Sequence, residues 1–382
     1  MKKYLTLIAA TMLTAACSNE AEAPDDNQSK GTPIAVTVDE GGFTRAPGQV
    51  NNASQVADKG FGLFASYTGK LKYENTTVSA DYMYNQKVTG VLNASGTYDW
   101  VYNPIKYWPN SQSPETGLHN EYVTFFAYAP YEATPKDDGR AIIDMSQKYD
   151  LGDPWINFRL PADPWGDGGQ VDLMYGVSIL GEPFYDQTKP LIESKLSFVF
   201  QHALACVGDR VTIKLTPELA AYLRGYADVI VHKVTIDYCN LTTKARLVLN
   251  SPSGPNWKEI ISGELTTKRT LVKQLSLPLT ITETEQELSV GEGLFYIPLR
   301  VQGTDAPYAQ VTVDYTVYVH PQNAAATTFN GTASTKFNLD NNLEGKKQDI
   351  ALVLTKDFDL QHLNYPITET PATEPSYSRQ AK

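Results

Sequence analysis

The stretch Ala309-Gln310-Val311-Thr312-Val313-Asp314-Tyr315-Thr316-Val317-Tyr318-Val319 alternates apolar and polar residues over most of its length. A β-strand turns successive side chains to opposite faces, so this pattern predicts one buried face and one face in water. Similar alternation occurs at 195–202, 210–215 and 230–238. Half-buried strands of this kind are typical of antiparallel sheets that pack against each other as sandwiches.

The composition supports an all-β fold. The 382 residues include 23 Tyr and 13 Phe, and they are interrupted by 26 Gly and 23 Pro. Aromatic residues favour strands, and Gly and Pro favour the turns between them. Further strands are predicted at 61–67, 121–128 and 348–354, and a short helix within 217–227. Residues 130–170 are rich in Pro, Asp and Gly, and we expect an extended surface excursion there.

The first residues have the pattern of a secretory leader. Lys2-Lys3 precede an apolar run from Leu5 to Leu13, and small residues lead to Cys17. The run is too short to span a bilayer. Two readings fit: a lipoprotein signal with an acyl chain on Cys17, or ordinary secretion. Residues 18–32 are acidic and polar, which predicts a tether without structure of its own.

The length predicts more than one domain. After the leader, the chain is longer than a single hydrophobic core usually supports, and its length suits two domains of roughly 150–190 residues. The junction fits best at 185–194, just before an alternating strand. We therefore assign 1–16 as signal peptide, 17–45 as propeptide, 46–190 as the N-terminal β-sandwich domain and 191–382 as the C-terminal β-sandwich domain with a tail.

The charge disfavours one class of partner. The formal net charge is −11, with 43 Asp and Glu against 32 Lys and Arg. An acidic surface of this kind repels nucleic acid, and we expect no nucleic-acid partner.

A removable strand is predicted near the start of the mature chain. Ile34, Val36 and Val38 share one face of a short strand, and Arg45-Ala46 follow in a Gly-flanked loop. A trypsin-like cut after Arg45 would take this strand away and leave an apolar groove with unpaired edges. A strand from another subunit could fill that groove by β-augmentation. Taken alone, Arg45 also fits an ordinary exposed loop arginine. Candidate donor residues lie in the tail: Phe358, Leu360, Leu363 and Tyr365.

The chain shows little that points to catalysis. Its five histidines are scattered, and neither a nucleophile elbow, a zinc-protease motif nor a phosphate-binding glycine loop is present. We expect no enzyme activity, no cofactor and no metal. The acidic loop 163–172 could hold calcium, but its spacing differs from an EF-hand and suits ordinary turns. The five tryptophans fit either a sugar-stacking platform or core packing. Cys206 and Cys239 fit either a disulfide or two free thiols.

Several short motifs together resemble the fimbrillins, the type V pilins of Bacteroides-like bacteria. They occur in the family's order and cover nearly the whole chain. The motifs are the leader with Cys17, the strand leading to Phe43-Thr44-Arg45-Ala46, Lys106-Tyr107-Trp108-Pro109, Val123-Thr124-Phe125-Phe126-Ala127-Tyr128-Ala129-Pro130, Asp172-Leu173-Met174-Tyr175-Gly176 and Phe200-Gln201-His202-Ala203-Leu204.

The resemblance implies two tandem transthyretin-like (Greek-key) β-sandwich domains and export to the outer-membrane surface as a lipoprotein. It also implies cleavage after Arg45 by an arginine-specific, gingipain-type protease, followed by polymerisation into an extracellular fimbria through a neighbour's C-terminal strand. The expected partners are other pilin subunits, this protease and, before cleavage, the outer membrane. Two alternatives remain open: a tip or anchor pilin, and a surface glycan-binding lipoprotein.

Overall fold

The computed structural model describes residues 31–39, 53–74, 77–109, 121–166, 169–190, 194–250, 254–260, 265–288, 290–291, 293–321, 325–339 and 346–363. The described chain is almost entirely β-structure, as the alternating sequences predict. In chain order the strands are β1 (Ala35–Val38), β2 (Phe61–Gly69), β3 (Met83–Leu92), β4 (Tyr98–Tyr102), β5 (Tyr122–Ala129), β6 (Ile142–Met145), β7 (Trp155–Arg159), β8 (Met174–Val177), β9 (Phe184–Gln187), β10 (Lys195–His202), β11 (Ala205–Leu215), β12 (Ala227–Thr242), β13 (Lys244–Val248), β14 (Asn256–Glu259), β15 (Thr266–Ile281), β16 (Gln286–Leu288), β17 (Leu294–Tyr296), β18 (Tyr308–Val319), β19 (Thr327–Asn338), β20 (Lys347–Leu354) and β21 (Leu360–His362).

Two short helices accompany the strands, α1 (Ala53–Lys59) and α2 (Pro217–Leu223). The predicted helix at 217–227 corresponds to α2. Thr216 caps α2, because its hydroxyl oxygen accepts a hydrogen bond from the Leu219 backbone N–H, and Pro217 opens the first turn. Both features are usual at helix N-termini, where backbone donors lack partners within the helix.

The strands form four sheets in the described chain. The largest runs β1-β10-β8-β5-β2-β3-β4, with β9 added beside β5. A second has the order β16-β11-β20-β21, with β17 beside β11. A third has the order β15-β12-β18-β19, and the fourth has the order β14-β13-β7-β6. Pairing is mostly antiparallel, but β1 with β10 and β11 with β20 run parallel.

The central strands of the largest sheet are buried on both faces. On β5, Phe125 and Ala127 belong to a small apolar cluster, whereas Phe126 and Tyr128 belong to a larger one. The larger cluster continues into the other three sheets. The smaller cluster is enclosed by the largest sheet and by α1, which contributes Val56. This explains why β5 is apolar along nearly its whole length instead of alternating.

The Pro-rich part of the chain differs from its prediction. We expected residues 130–170 to be a surface excursion, and this was wrong. Strands β6 and β7 lie within it, and Ile156 and Phe158 are fully buried in the larger cluster. The strands are only 4 and 5 residues long, so the surrounding Pro and Gly hide them in the composition.

The domain junction at 185–194 stays a prediction, but two of the sheets combine strands from both sides of it. Strand β10, expected to open the C-terminal half, pairs with β8 and β1 in the largest sheet. Conversely, β7 pairs with β13, so two strands that precede this junction, β6 and β7, share a sheet with two that follow it, β13 and β14. The larger apolar cluster is therefore continuous across both halves.

Candidate functional site

Strand β1 is a separate segment inserted into the largest sheet. It runs parallel to β10, with Val36 opposite Leu196 and Val38 opposite Phe198. The Asp39 backbone N–H donates a hydrogen bond to the Phe198 carbonyl oxygen at 2.8 Å. Parallel neighbours need a long connection, and here the partner strand is about 160 residues further along the chain.

The residues just before β1 pair with residues 106–108, which follow β4. The Ile34 N–H donates to the Lys106 carbonyl oxygen and the Trp108 N–H donates to the Thr32 carbonyl oxygen, both at 2.9 Å. The Tyr102 hydroxyl donates to the Ile34 carbonyl oxygen at 2.7 Å. Burial raises the pKa of Tyr102 to about 12, so this hydroxyl remains a donor at physiological pH. The segment 32–39 thus lies between β10 and 106–108.

The three predicted apolar residues of this segment point into the protein. Ile34, Val36 and Val38 are 1%, 2% and 6% exposed. They belong to the smaller apolar cluster, whose other members are Val56, Phe61, Leu63, Ala65, Met83, Val88, Trp108, Val123, Phe125, Ala127, Ala129, Met174, Leu196, Phe198 and Phe200. Without the segment, a groove between β10 and residues 106–108 would open onto this cluster.

The groove defined in this way includes residues that the sequence did not assign to it. Lys106 and Trp108 belong to a motif noted only for its family resemblance, yet they form the second wall. Trp108 is 4% exposed and packs edge-on against Phe125, with ring centroids 5.8 Å apart. A Trp-Pro pair in an irregular segment gave no periodicity from which this role could be read.

The predicted processing residues Cys17, Arg45 and Ala46 lie outside the described residues. Their order along the chain still has a consequence. Arg45 follows β1 and precedes α1. A cut after Arg45 would leave β1 attached to the rest of the protein by hydrogen bonds and packing alone.

The predicted donor residues are partly used within their own subunit. Strand β21 pairs antiparallel with β20, and Leu360 is 5% exposed. The Phe358 ring stacks on Tyr315, with centroids 5.7 Å apart and planes 12° from parallel. The Leu363 N–H donates to the Ala351 carbonyl oxygen at 2.8 Å. Tyr365 lies outside the described residues.

Two other family-like motifs meet beneath the groove. His202 Nδ1 lies 2.6 Å from Asp172 Oδ2, and both side chains are buried. Gly176 lies between Ala127 and Phe198, and an added Cβ would come within 2.8 Å of the Ala127 Cβ. The pair and the glycine hold β8 tightly between β5 and β10, the strand on which β1 lies. His202 therefore has a structural partner, as expected for a buried histidine.

The remaining candidates are separated from the groove. Cys206 and Cys239 are free thiols, and burial raises the pKa of Cys206. In the acidic loop, Asp163 accepts a hydrogen bond from the Trp165 N–H, whereas Asp172 is paired with His202. Among the described residues, no group of three His, Cys, Asp or Glu is arranged to hold a metal. The described helices are all too short or too polar to cross a membrane.

A solved structure has a fold similar to that of this chain. A fimbrial protein from Bacteroides vulgatus superimposes with a TM-score of 0.64 at 20% identity, over 88% of this chain and 99% of that one. This likeness concerns the fold alone. No family model matches the sequence.

A curated relative adds a match in sequence. Fimbrium subunit Fim1C from Phocaeicola vulgatus is 28% identical over 223 residues, which are 57% of this chain and 52% of the relative. The match thus spans about half the relative's length. The predicted resemblance to the fimbrillins is confirmed.

Proposed function

We propose that this protein is a structural pilin subunit of a surface fimbria. In this proposal it is exported as a lipoprotein on Cys17, cut after Arg45 and polymerised by strand exchange into the groove that β1 leaves. The observation that carries the proposal is the position of β1. It fills the smaller apolar cluster, and the segment that contains it borders both β10 and residues 106–108.

The energy of refilling the groove favours polymerisation. Burying a Val or Ile side chain contributes roughly 1.5–3 kcal/mol, so three such residues give about 5–9 kcal/mol. This is an upper figure, because the unfolded chain already buries part of its apolar surface. A donor strand with three apolar residues at alternate positions would recover a similar amount and would add main-chain hydrogen bonds.

Releasing the donor tail from its own subunit costs less free energy than filling the groove provides. Strand β21 has three residues at the sheet edge, and it buries Leu360 while Phe358 stacks on Tyr315. Exposing one leucine costs roughly 1.5–3 kcal/mol. Losing two aromatic pairs, Phe358 with Tyr315 and His362 with Phe337, costs about 1–3 kcal/mol. The comparison supports a tail from Phe358 to Tyr365 that detaches and enters a neighbour's groove.

The proposed partners follow from this scheme. Before cleavage the lipid on Cys17 holds the subunit at the outer membrane. An arginine-specific protease then separates β1 from the body, and other pilin subunits supply the replacement strand. A stalk position requires both a groove that opens and a tail that leaves. The scheme assigns both to this chain, so we place it in the stalk rather than at the tip or the anchor. Adhesion is the expected outcome of the assembled fimbria.

The experiment that tests cleavage is the Arg45→Ala variant expressed in the native bacterium. We expect a folded, lipidated monomer that stays on the cells and forms no high-molecular-weight ladder. The matched control is Arg224→Ala, which removes an exposed arginine just after α2 and leaves β1 and its connection unchanged. The control should assemble like the wild type. Normal fimbriae from Arg45→Ala would refute the cleavage step.

A further inference from the structure

The outer face of the sheet β14-β13-β7-β6 carries two cations directly opposite each other. Arg246 on β13 pairs in register with Lys258 on β14. Opposed residues of an antiparallel pair share one face, and like charges in that position repel. Within the described residues, no carboxylate lies within ion-pair distance of either cation. The arrangement is unusual in a chain with a net charge of −11.

Arg246 is held in place by neutral and aromatic neighbours. Its guanidinium carbon lies 3.6 Å from the centroid of the Trp155 ring, and its Nε donates to Asn157 Oδ1 at 3.1 Å. Stacking on an aromatic ring fixes a guanidinium and leaves its edge free to donate hydrogen bonds. Trp155 is opposite Val248 on the same outer face, whereas Ile156 and Leu247 point into the core.

These residues line a cleft of about 560 Å³, within the usual range for small-ligand sites. Its walls are Leu151, Gly152, Asp153, Trp155, Arg246, Val248, Lys258, Glu259 and Ile260. The cleft thus combines two cations with an aromatic ring and aliphatic side chains.

The carboxylates in the cleft narrow the class of ligand. Asp153 accepts hydrogen bonds from the Tyr73 hydroxyl and from Asn250, and Glu259 accepts one from the Gln302 N–H. Because these two carboxylates also line the cleft, a ligand with many negative charges, such as an acidic peptide, would be repelled. A ligand with one negative group and an uncharged body is compatible with both sets of charges.

We propose that this cleft binds an acidic sugar, a glycan residue with one carboxylate or sulfate group. The anionic group would lie between Arg246 and Lys258 and remove their repulsion. The C–H face of the sugar ring would pack on Val248 and Leu151, while Trp155 holds the Arg246 guanidinium in place. This proposal does not depend on polymerisation, because all of these residues lie outside the groove.

The test is titration of the purified full chain with glucuronic acid, N-acetylneuraminic acid, glucose 6-sulfate and glucose, followed by calorimetry. We expect saturable binding of the acidic sugars and none of glucose. Comparing the affinities of the two carboxylate sugars with that of glucose 6-sulfate shows which anionic group the cleft prefers. Lys258→Gln and Arg246→Gln should each weaken binding by at least about tenfold. Lys258 is exposed and makes no ion pair with another residue that the structure describes, so Lys258→Gln tests the site without endangering the fold.

The matched control is Lys336→Gln. Lys336 also lies over an aromatic ring, 3.5 Å from the centroid of Tyr308, but on another sheet. This variant should bind as the wild type does. The proposal is overturned if no acidic sugar binds, if glucose binds equally well, if both cleft variants bind undiminished, or if an acidic peptide binds while the sugars do not.

Discussion

The Tyr102 hydroxyl donates a 2.7 Å hydrogen bond to the carbonyl oxygen of Ile34, 68 residues away in the sequence. It links the end of β4 to the segment that contains β1. Together with the Lys106 and Trp108 contacts, it closes the largest sheet around the smaller apolar cluster. The segment 32–39 also precedes the proposed cleavage site after Arg45. Loss of this segment on maturation would therefore open the sheet between β4 and β10.

Ile34→Ala should weaken the uncleaved subunit. Ile34 is 1% exposed, and removing a buried isoleucine side chain to alanine costs about 2–5 kcal/mol. Urea unfolding of the uncleaved chain measures the loss. Thr37→Ala is the control in the same strand, and its cost should stay below about 1 kcal/mol. Equal losses in the two variants would contradict the burial of one face of β1.

A disulfide between β20 and β21 should stop polymerisation. Leu352 and His362 are opposite each other in the antiparallel pair. The Leu363 N–H donates a hydrogen bond to the Ala351 carbonyl oxygen, so these two residues form a hydrogen-bonded pair. The neighbouring pair, Leu352 and His362, is therefore of the non-hydrogen-bonded kind, in which the two Cα atoms lie closer together. In Leu352→Cys/His362→Cys, the oxidised protein should be cut normally but remain monomeric on gels. The same variant with the disulfide reduced is its own control and should assemble. Assembly in the oxidised state would mean that the donor begins after Leu363.

Lys258→Glu should stabilise the protein in the absence of sugar. The change replaces a like-charge pair opposite Arg246 with an attractive pair, worth roughly 0.2–1 kcal/mol. Chemical denaturation at low salt measures the gain. Lys336→Glu faces Gln310 instead of a cation and should give no comparable increase. A loss of stability in Lys258→Glu would show that Arg246 and Lys258 do not repel each other.

Asp314 should contribute a pH-dependent stability. Its hydrogen bond and ion pair with Lys233, at 2.6 Å, lower the pKa of the carboxyl. A lowered folded-state pKa stabilises the protein above the unfolded value of about 3.9, and this stability is lost as the pH falls through the folded-state pKa. Because both side chains are about a third exposed to solvent, at 37% and 34%, Asp314→Asn should cost at most about 1 kcal/mol at pH 7.

Thermal unfolding of Asp314→Asn and the wild type across the acid range checks this. The two should differ at neutral pH and converge below a pH of about 4. Asp81→Asn, at an exposed position, should show no such convergence. A difference for Asp314→Asn that persists in strong acid would assign its effect to packing instead of charge.

Much of the sheet structure could be predicted from the sequence. Strands β10, β12 and β18 alternate clearly, and each was placed within a few residues of its observed bounds. Strands β15 and β19 were missed, because they are edge strands whose exposed residues include Pro278 and many Thr and Asn. A strand with little burial carries little periodicity.

The candidate site was only partly predictable. The alternation of Ile34, Val36 and Val38 indicated a buried face. The sequence of β1 did not predict, however, that this strand pairs with β10. Parallel pairing over so long a separation leaves no local signal. The cleft was harder still, since Arg246 and Lys258 become neighbours only through the register of β13 and β14.

The most direct measurement is mass spectrometry of the protein's N-terminus in sheared surface material and on intact cells. The proposal predicts that the sheared, high-molecular-weight material begins at Ala46 and lacks β1, while cell-bound precursor retains acylated Cys17. If the chain is found only on cells and only in the form that begins at acylated Cys17, the strand-exchange account is contradicted.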